Sequence, residues 1–415
     1  MNQLIYKTLF VFLVLSLVTA KIEVSFIMGV VAILFSFNRH TSFDLVKLLL
    51  ILLIINSIGF LGVLRSDNSL GVFLKDFIYF LRPIIVAYAS YSLIKKINNK
   101  TFVFESIIVL SFLFAIRHIF KLTINIQHIE SIVNARTIGG RYNHLVLVGL
   151  LFFTLIKENK VKQYVGALTY KFMFLCVSIS FILYFSRVMI VVFIIFILAY
   201  KGYFRLTRKG IKILLFGTLF LSVFMFTINK FNVDSNSSGF GGFIFKIQNS
   251  HKEIFESLDI EKIKLDKRDL WKHWRGYEAQ TAIKMLSDDG FVSWGIGKGF
   301  GALVDLGVEV QLSGEDVRYI PILHNGFVYV LFKTGILGLS LYLFYVFYLY
   351  SFYRAKSVDN QMFIMNRLLV GCSFYVFFSS LVVTGIFKPY DFSGLLIGSI
   401  FAIKSFYIEN RNIRN

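Results

Sequence analysis

Three basic side chains stand where an apolar chain has least reason to keep them. His324 opens LHNGFVYVLFKTGILGLSLY (323–342); an imidazole titrates near neutrality and can draw a proton from a hydroxyl as general base, or can simply hydrogen-bond at an interface. Arg187 lies in YFSRVMIVV, between two apolar runs that would otherwise merge. An arginine at that depth is costly unless it faces a polar cavity or an anion; the alternative is a tight turn from which the side chain snorkels. Arg275 lies in KRDLWKHWRGYEAQTAIKMLSDDG (267–290), read as a helix that starts near Asp266 or Asp269 and stops at Gly290. Arg268, Lys272 and Arg275 share one face of it, Trp271, Trp274 and Glu278 an adjoining one. Charged helix faces are usually only solvated, but a guanidinium fork suits phosphate. Arg136 and Arg141 in NARTIGGRYNH either join these cations or sit in an ordinary loop. Several cations and one base, with no carboxylate-rich cluster for a metal and no sign of a cofactor, suit a diphosphate-linked donor.

The elements that must position these residues are membrane helices. Of 415 residues 56% are hydrophobic and only 16% charged, too apolar for a soluble protein of several domains. Apolar runs long enough to cross a bilayer as helices recur along the chain. They predict an all-α polytopic membrane protein with about twelve transmembrane helices, centred on 4–20, 22–37, 43–64, 72–94, 101–120, 144–156, 164–184, 186–200, 210–228, 335–352, 364–386 and 389–407. The first run imitates a signal peptide, with Lys7 ahead of it and Val18-Thr19-Ala20 behind, but further spans follow at once and a retained helix is expected. Residues 1–228 then form an N-terminal bundle of about nine helices, 229–321 one large outer loop of mainly helical character, and 322–415 about three more helices behind a short interfacial one. The glycine-rich NVDSNSSGFGG (232–242) reads as a flexible lead into that loop.

Charge orients the chain. With the amino terminus inside, cytoplasmic segments hold twenty Lys and Arg and the short outer segments eight, which puts both termini in the cytoplasm. The large loop holds twelve Lys and Arg against fourteen Asp and Glu, so the overall net charge of +20 marks membrane orientation and no nucleic-acid partner is expected. Cys176 and Cys372 lie inside apolar runs and suggest neither a disulfide framework nor a metal site. A helix over 322–352 would be about 46 Å long, longer than the bilayer core, and Lys333-Thr334-Gly335 is the natural break.

Some matches are chance. GIGKGFG (295–301) lacks the Ser or Thr that follows the lysine of a phosphate-binding loop, and GKGFGA has no strand-helix-strand unit around it. Ser92 with Lys95, Ser66-Asp67-Asn68 and Lys333-Thr334-Gly335 imitate β-lactamase elements, but in the wrong order and on opposite sides of the membrane.

Taken together, WRGYEAQTAI (274–283), GIGKGFGALV (295–304) and LHNGFVYVLFKTGILGLSLY (323–342) resemble the signature region of the O-antigen polymerase/ligase superfamily. The likeness in motif covers about 267–342; elsewhere it is architectural. The resemblance implies an inverting, metal-independent glycosyltransferase of the bacterial inner membrane, acting on the periplasmic side, with undecaprenyl-diphosphate-linked oligosaccharide as donor and, in a polymerase (Wzy-type), as acceptor too. It implies that Arg187 and Arg275 hold the diphosphate leaving group and that His324 activates the acceptor hydroxyl, with Asn325, Glu278 and Tyr277 in support. A chain-length regulator and a flippase are partners expected from the family. A ligase transferring polymer to the lipid A core is the alternative; a lipid-linked sugar transporter, from a different class, would call for internal repeats that the sequence does not display.

The chemistry assigned to Arg275 is directly testable. Arg275→Lys keeps the charge and loses the fork, so binding of a lipid-linked diphosphate to the purified protein is predicted to weaken by about tenfold or more; unchanged affinity would reduce Arg275 to a solvated surface group.

Overall fold

The computed structural model describes residues 3–62, 70–129, 132–156, 160–204, 273–312, 314–355 and 360–412, with scattered single positions between 212 and 271. The run read as a span over 210–228, the glycine-rich stretch 232–242 and the side chains of Arg268 and Lys272 fall largely or wholly outside the described residues.

Helices follow the apolar runs: α1 (Gln3–Thr19), α2 (Ile22–Ser36), α3 (Phe43–Gly62), α4 (Leu70–Ile97), α5 (Phe102–Ile124), the short α6 (Ile132–Gly139), α7 (Asn143–Leu155), α8 (Val161–Val165), α9 (Ala167–Leu183) and α10 (Arg187–Lys201). After the large loop come α13 (Gly326–Ser351), α14 (Asn360–Val382) and α15 (Ser393–Asn412). Among the described residues four helical segments are long and apolar enough to cross a membrane: Phe43–Gly62, Phe102–Ile124, Gly326–Arg354 and Asn360–Val382. Lipid gives helices no hydrophobic reason to associate, so small residues must let backbones close up. Gly394 and Gly398 of α15 do this against α4: a Cβ on Gly398 would lie 2.0 Å from the Ala87 carbonyl oxygen. Ser90 of α4 donates across to the Leu395 carbonyl at 3.1 Å.

The described part of the large loop is less helical than its sequence suggests. It holds α11 (Trp274–Asp288), α12 (Phe291–Ile296) and an antiparallel hairpin of β1 (Val304–Leu312) and β2 (Glu315–Ile320). The cause is visible in VDLGVEVQL: apolar and polar residues alternate with period two, and Val304, Leu306 and Val310 are buried while Gly307, Glu309 and Gln311 are exposed. Of the helix expected from Asp266 or Asp269, Leu270 and Trp271 are helical, His273 lies in a turn, and a continuous run from Trp274 ends before Gly290 (φ 87°).

A break in α13 organises the middle of the molecule. Gly335 has φ 66° and ψ −169° inside an otherwise continuous helix, a conformation open to glycine and strained for any other residue. A break exposes backbone carbonyls that need donors, and the GIGKGFG segment supplies them. Lys298 N–H donates to the Phe332 carbonyl at 2.8 Å and Gly299 N–H to the Lys333 carbonyl at 3.1 Å. Phe300 N–H then bonds the Gly59 carbonyl of α3 at 2.9 Å. Gly299 (φ 83°) lies so close to Gly62 that a Cβ would come within 2.3 Å of its carbonyl carbon.

Below the break sits a buried ion pair. Lys333 Nζ lies 2.5 Å from Asp76 Oδ2 of α4, and both side chains are wholly buried. Asp76 also accepts the Gly301 N–H at 2.8 Å and the Tyr329 hydroxyl at 3.1 Å, and Lys333 also donates to the Ala302 carbonyl. Phe80 closes over this knot, 4.9 Å from the Phe300 ring, 5.4 Å from Tyr329 and stacked at 4.2 Å on Phe387. Removing one member of such a pair leaves a buried charge without its partner, at about 3–5 kcal/mol, whereas replacing both with apolar groups is often nearly neutral. Asp76→Ala is therefore predicted to lower the thermal midpoint of the detergent-solubilised protein substantially, and Asp76→Ala with Lys333→Met to recover most of the loss. Equal midpoints for the single and double variants would show that the pair is not coupled.

Candidate active site

His324 is held from four sides. Asn325 caps α13, its Oδ1 accepting the amides of Phe327 and Val328 at 3.1 Å each. Gly326 N–H donates to the Val383 carbonyl at 2.9 Å, and the Thr384 hydroxyl to the Leu323 carbonyl at 2.9 Å. The fourth restraint is Glu278 of α11. Its Oε2 accepts the His324 backbone amide at 3.0 Å, and its two oxygens lie 3.1 and 3.0 Å from His324 Nδ1. Glu278 is buried while the His324 side chain is 48% exposed, so the carboxylate is a fixed acceptor beneath a ring that reaches solvent.

That geometry settles the tautomer. An ionised carboxylate only accepts, so Nδ1 carries the hydrogen, and in the neutral ring Nε2 keeps its lone pair. Nε2 makes no hydrogen bond among the described residues. An imidazole held this way can serve as a general base with the carboxylate as its orienting group, since a carboxylate at Nδ1 stabilises the imidazolium that forms when Nε2 takes a proton.

Arg275 lies three residues before Glu278 in the first turn of α11, on the same side of that helix, and is half-buried. Tyr277 is fully buried and its hydroxyl donates to the Leu306 carbonyl, which ties α11 to β1. Asn325 and Tyr277 thus spend their polar groups on the frame around His324. The stacked Trp271 and Trp274 rings, 5.1 Å apart, stand at the head of α11.

A second group of cations gathers at the α9–α10 turn. Arg187 is the first residue of α10, after Ser186, whose hydroxyl accepts the Met189 amide at 3.5 Å. The position is thus a tight turn, and Phe185 within it takes a left-handed φ of 46°, which costs a non-glycine residue about 1–3 kcal/mol. Arg136 holds the turn from below, Nε donating to the Tyr184 carbonyl at 2.8 Å and Nη2 to the Phe185 carbonyl. Burial and then the neighbouring Arg187 charge lower the Arg136 pKa. Arg136, Arg141, Asn143, Tyr184 and Ser186 line a cleft of about 240 Å³. Arg141 is exposed at its rim.

The site residues therefore form two groups: Arg275, Glu278 and His324 on α11 and α13, and Arg136, Arg141 and Arg187 around the α9–α10 turn. Residues 172–343 match the family model Wzy_C, O-antigen ligase. The match supports the O-antigen polymerase/ligase superfamily for this chain. No curated protein matches it. The Wzy_C segment holds Arg187, Arg275, Tyr277, Glu278, His324 and Asn325, with the break at Gly335, while Arg136 and Arg141 precede it in the chain.

Sequence reasoning placed Glu278 only as a supporting residue, without its contact to His324, and did not single out Asp76. A lone carboxylate amid the apolar and aromatic residues of α4 was the available signal for Asp76, and a lysine in the middle of α13 was its counterpart.

If Glu278 orients and charges the base, Glu278→Gln keeps the size of the side chain but removes the negative charge and one of the two acceptor oxygens. Turnover is predicted to fall by about a hundredfold with KM for the lipid-linked donor nearly unchanged. A rise in KM at constant turnover, measured with purified protein, would instead make Glu278 a substrate-binding group.

Proposed function

We propose that the protein is a polymerase that joins undecaprenyl-diphosphate-linked oligosaccharide units into O-antigen or a related surface polysaccharide at the periplasmic face of the bacterial inner membrane. The observation that carries this reading is the His324–Glu278 pair at the head of a broken helix, inside the segment matched by the O-antigen ligase family model. In the step we infer, His324 Nε2 takes the proton of an acceptor sugar hydroxyl as that oxygen bonds the anomeric carbon of the donor. The bond from the anomeric carbon to the diphosphate oxygen breaks, and configuration inverts. Undecaprenyl diphosphate departs with the electron pair, its growing charge stabilised by Arg187, with Arg136 and Arg141 beside it, and by Arg275. The twenty-to-eight distribution of Lys and Arg supports cytoplasmic termini, an outer 229–321 loop and a periplasmic active site. A chain-length regulator and a flippase fit this reading as partners.

The second reading is a ligase that transfers finished polymer to the lipid A core, favoured by the description of the matching family model. Both use the same donor chemistry and differ in acceptor. A gel of lipopolysaccharide from cells lacking the gene, complemented with wild type or with His324→Ala, separates them. The polymerase predicts collapse of the ladder to core plus one repeat unit, with His324→Ala failing to restore it while still reaching the membrane. Bare core with lipid-linked polymer accumulating would mean ligase. A normal ladder with His324→Ala would remove the base assignment.

A further inference from the structure

Two further buried cations lie beside the Arg136–Arg141 cleft, near α4, the amino end of α7 and the 383–392 connection. Arg82 of α4 is 3% exposed, and its acceptors among the described residues are all neutral: Ser25 Oγ at 2.8 Å, the Lys388 carbonyl at 3.1 Å and the Asp391 carbonyl at 3.4 Å. Lys388 is 8% exposed. Its Nζ makes no hydrogen bond or ion pair among the described residues and rests 5.5 Å from the centre of the Tyr375 ring. The nearby carboxylate, Asp391, is already engaged by neutral donors: Tyr375 hydroxyl at 2.6 Å, Ser393 N–H at 2.9 Å and the Ser393 hydroxyl. Two buried cations therefore share one carboxylate that forms an ion pair with neither, a state that calls for a further anion. Burial, only partly offset by Asp391, pushes the Lys388 ammonium down to about 8.

The amino end of α7 faces the same place. No side chain caps this helix of 13 residues, whose N-cap is Tyr142, so its first amides and its dipole are available to an anion. His144 in its first turn is 8% exposed, its ring nitrogens make no hydrogen bond among the described residues, and the Lys388 and Arg82 charges both act on it. Arg141 and Tyr390 stand at the rim, the guanidinium 6.0 Å from the ring centre.

We propose that Lys388, His144 and the amino end of α7, backed by Arg82, form a phosphoryl-binding pocket for the headgroup of a lipid. An ammonium, an imidazole and helix amides converging from different elements match an anion with several oxygens. Lys388 follows α14 and His144 begins α7, both apolar helices, so a phosphoryl group bound between them would be carried on a lipid tail. On the polymerase reading above, on which this assignment of a second ligand rests, two lipid-linked chains must be held at once, and this pocket adds a phosphoryl site beside the Arg136–Arg141 cleft.

The test uses the full-length protein in a phosphate-free sugar-headgroup detergent and follows reductive methylation of Lys388 by mass spectrometry, with and without a short-chain polyprenyl diphosphate. Binding is expected to slow methylation of Lys388 by about tenfold while leaving the exposed Lys21 unchanged. Lys388→Gln should weaken binding by a similar factor, and Lys388→Arg should retain it. Methylation of Lys388 in the wild-type protein at one rate with and without saturating polyprenyl diphosphate would overturn the pocket, whatever the variants do. Equal protection by inorganic pyrophosphate would overturn the lipid assignment in favour of a free phosphate. Protection of Lys388 in a protein that makes no polymer in cells would leave the pocket standing and sink the polymerase reading alone.

Discussion

The contact between Lys333 and Asp76 is the constraint on which the middle of this protein depends. A lysine in the middle of an apolar helix can be buried only with an opposite charge and further hydrogen-bonding groups around it. Asp76 provides the charge, Ala302 and Gly301 bring the loop, and Tyr329 brings the preceding turn of α13. One carboxylate therefore joins α4, the segment that fills the helix break, and the half-helix that begins beside His324. The break at Gly335 and the pair at Lys333 belong together: the first frees backbone groups and the second anchors the strand of chain that satisfies them.

The placement of His324 is built outward from that anchor. α13 holds His324 at its capped end, the carboxyl end of α14 fixes the chain on either side of it, and α11 presents Glu278 from a helix that Tyr277 ties to β1. Each restraint uses a backbone group or a buried side chain, which leaves the imidazole edge as the part of this assembly turned to solvent. A ring oriented by a carboxylate and open at its other nitrogen suits, on the proposed reading, a reaction in which the nucleophile sheds a proton.

Much of this was legible in the residues. Apolar runs marked most of the helices, and the excess length of 322–352 together with Lys333-Thr334-Gly335 located the break that Gly335 adopts. His324 and Arg187 stood out because charge amid apolar sequence is rare, and Arg275 through its place on a basic helix face and in WRGYEAQ. What could not be read were pairings across long separations. Asp76 and Lys333 are 257 residues apart and Glu278 and His324 are 46 apart, and no local period announces either. The hairpin is different in kind: VDLGVEVQL carries a clear two-residue alternation, which the helical cast of the rest of the loop obscured. The glycines of GIGKGFG serve close backbone approach, to Gly62 and to the α13 break.

The way the break is filled also limits how this region can vary in length. Residues 298–300 are fixed by backbone bonds to Phe332, Lys333 and Gly59, and Leu323 and Gly326 are fixed to the end of α14. An insertion at either place would shift the register of those bonds and carry His324 with it. Between them the chain leaves as a two-stranded ribbon whose turn reaches Gly314, a residue with open space about it. That turn is a place where chains of this design can lengthen, shorten or acquire a new decoration while the imidazole stays where it is.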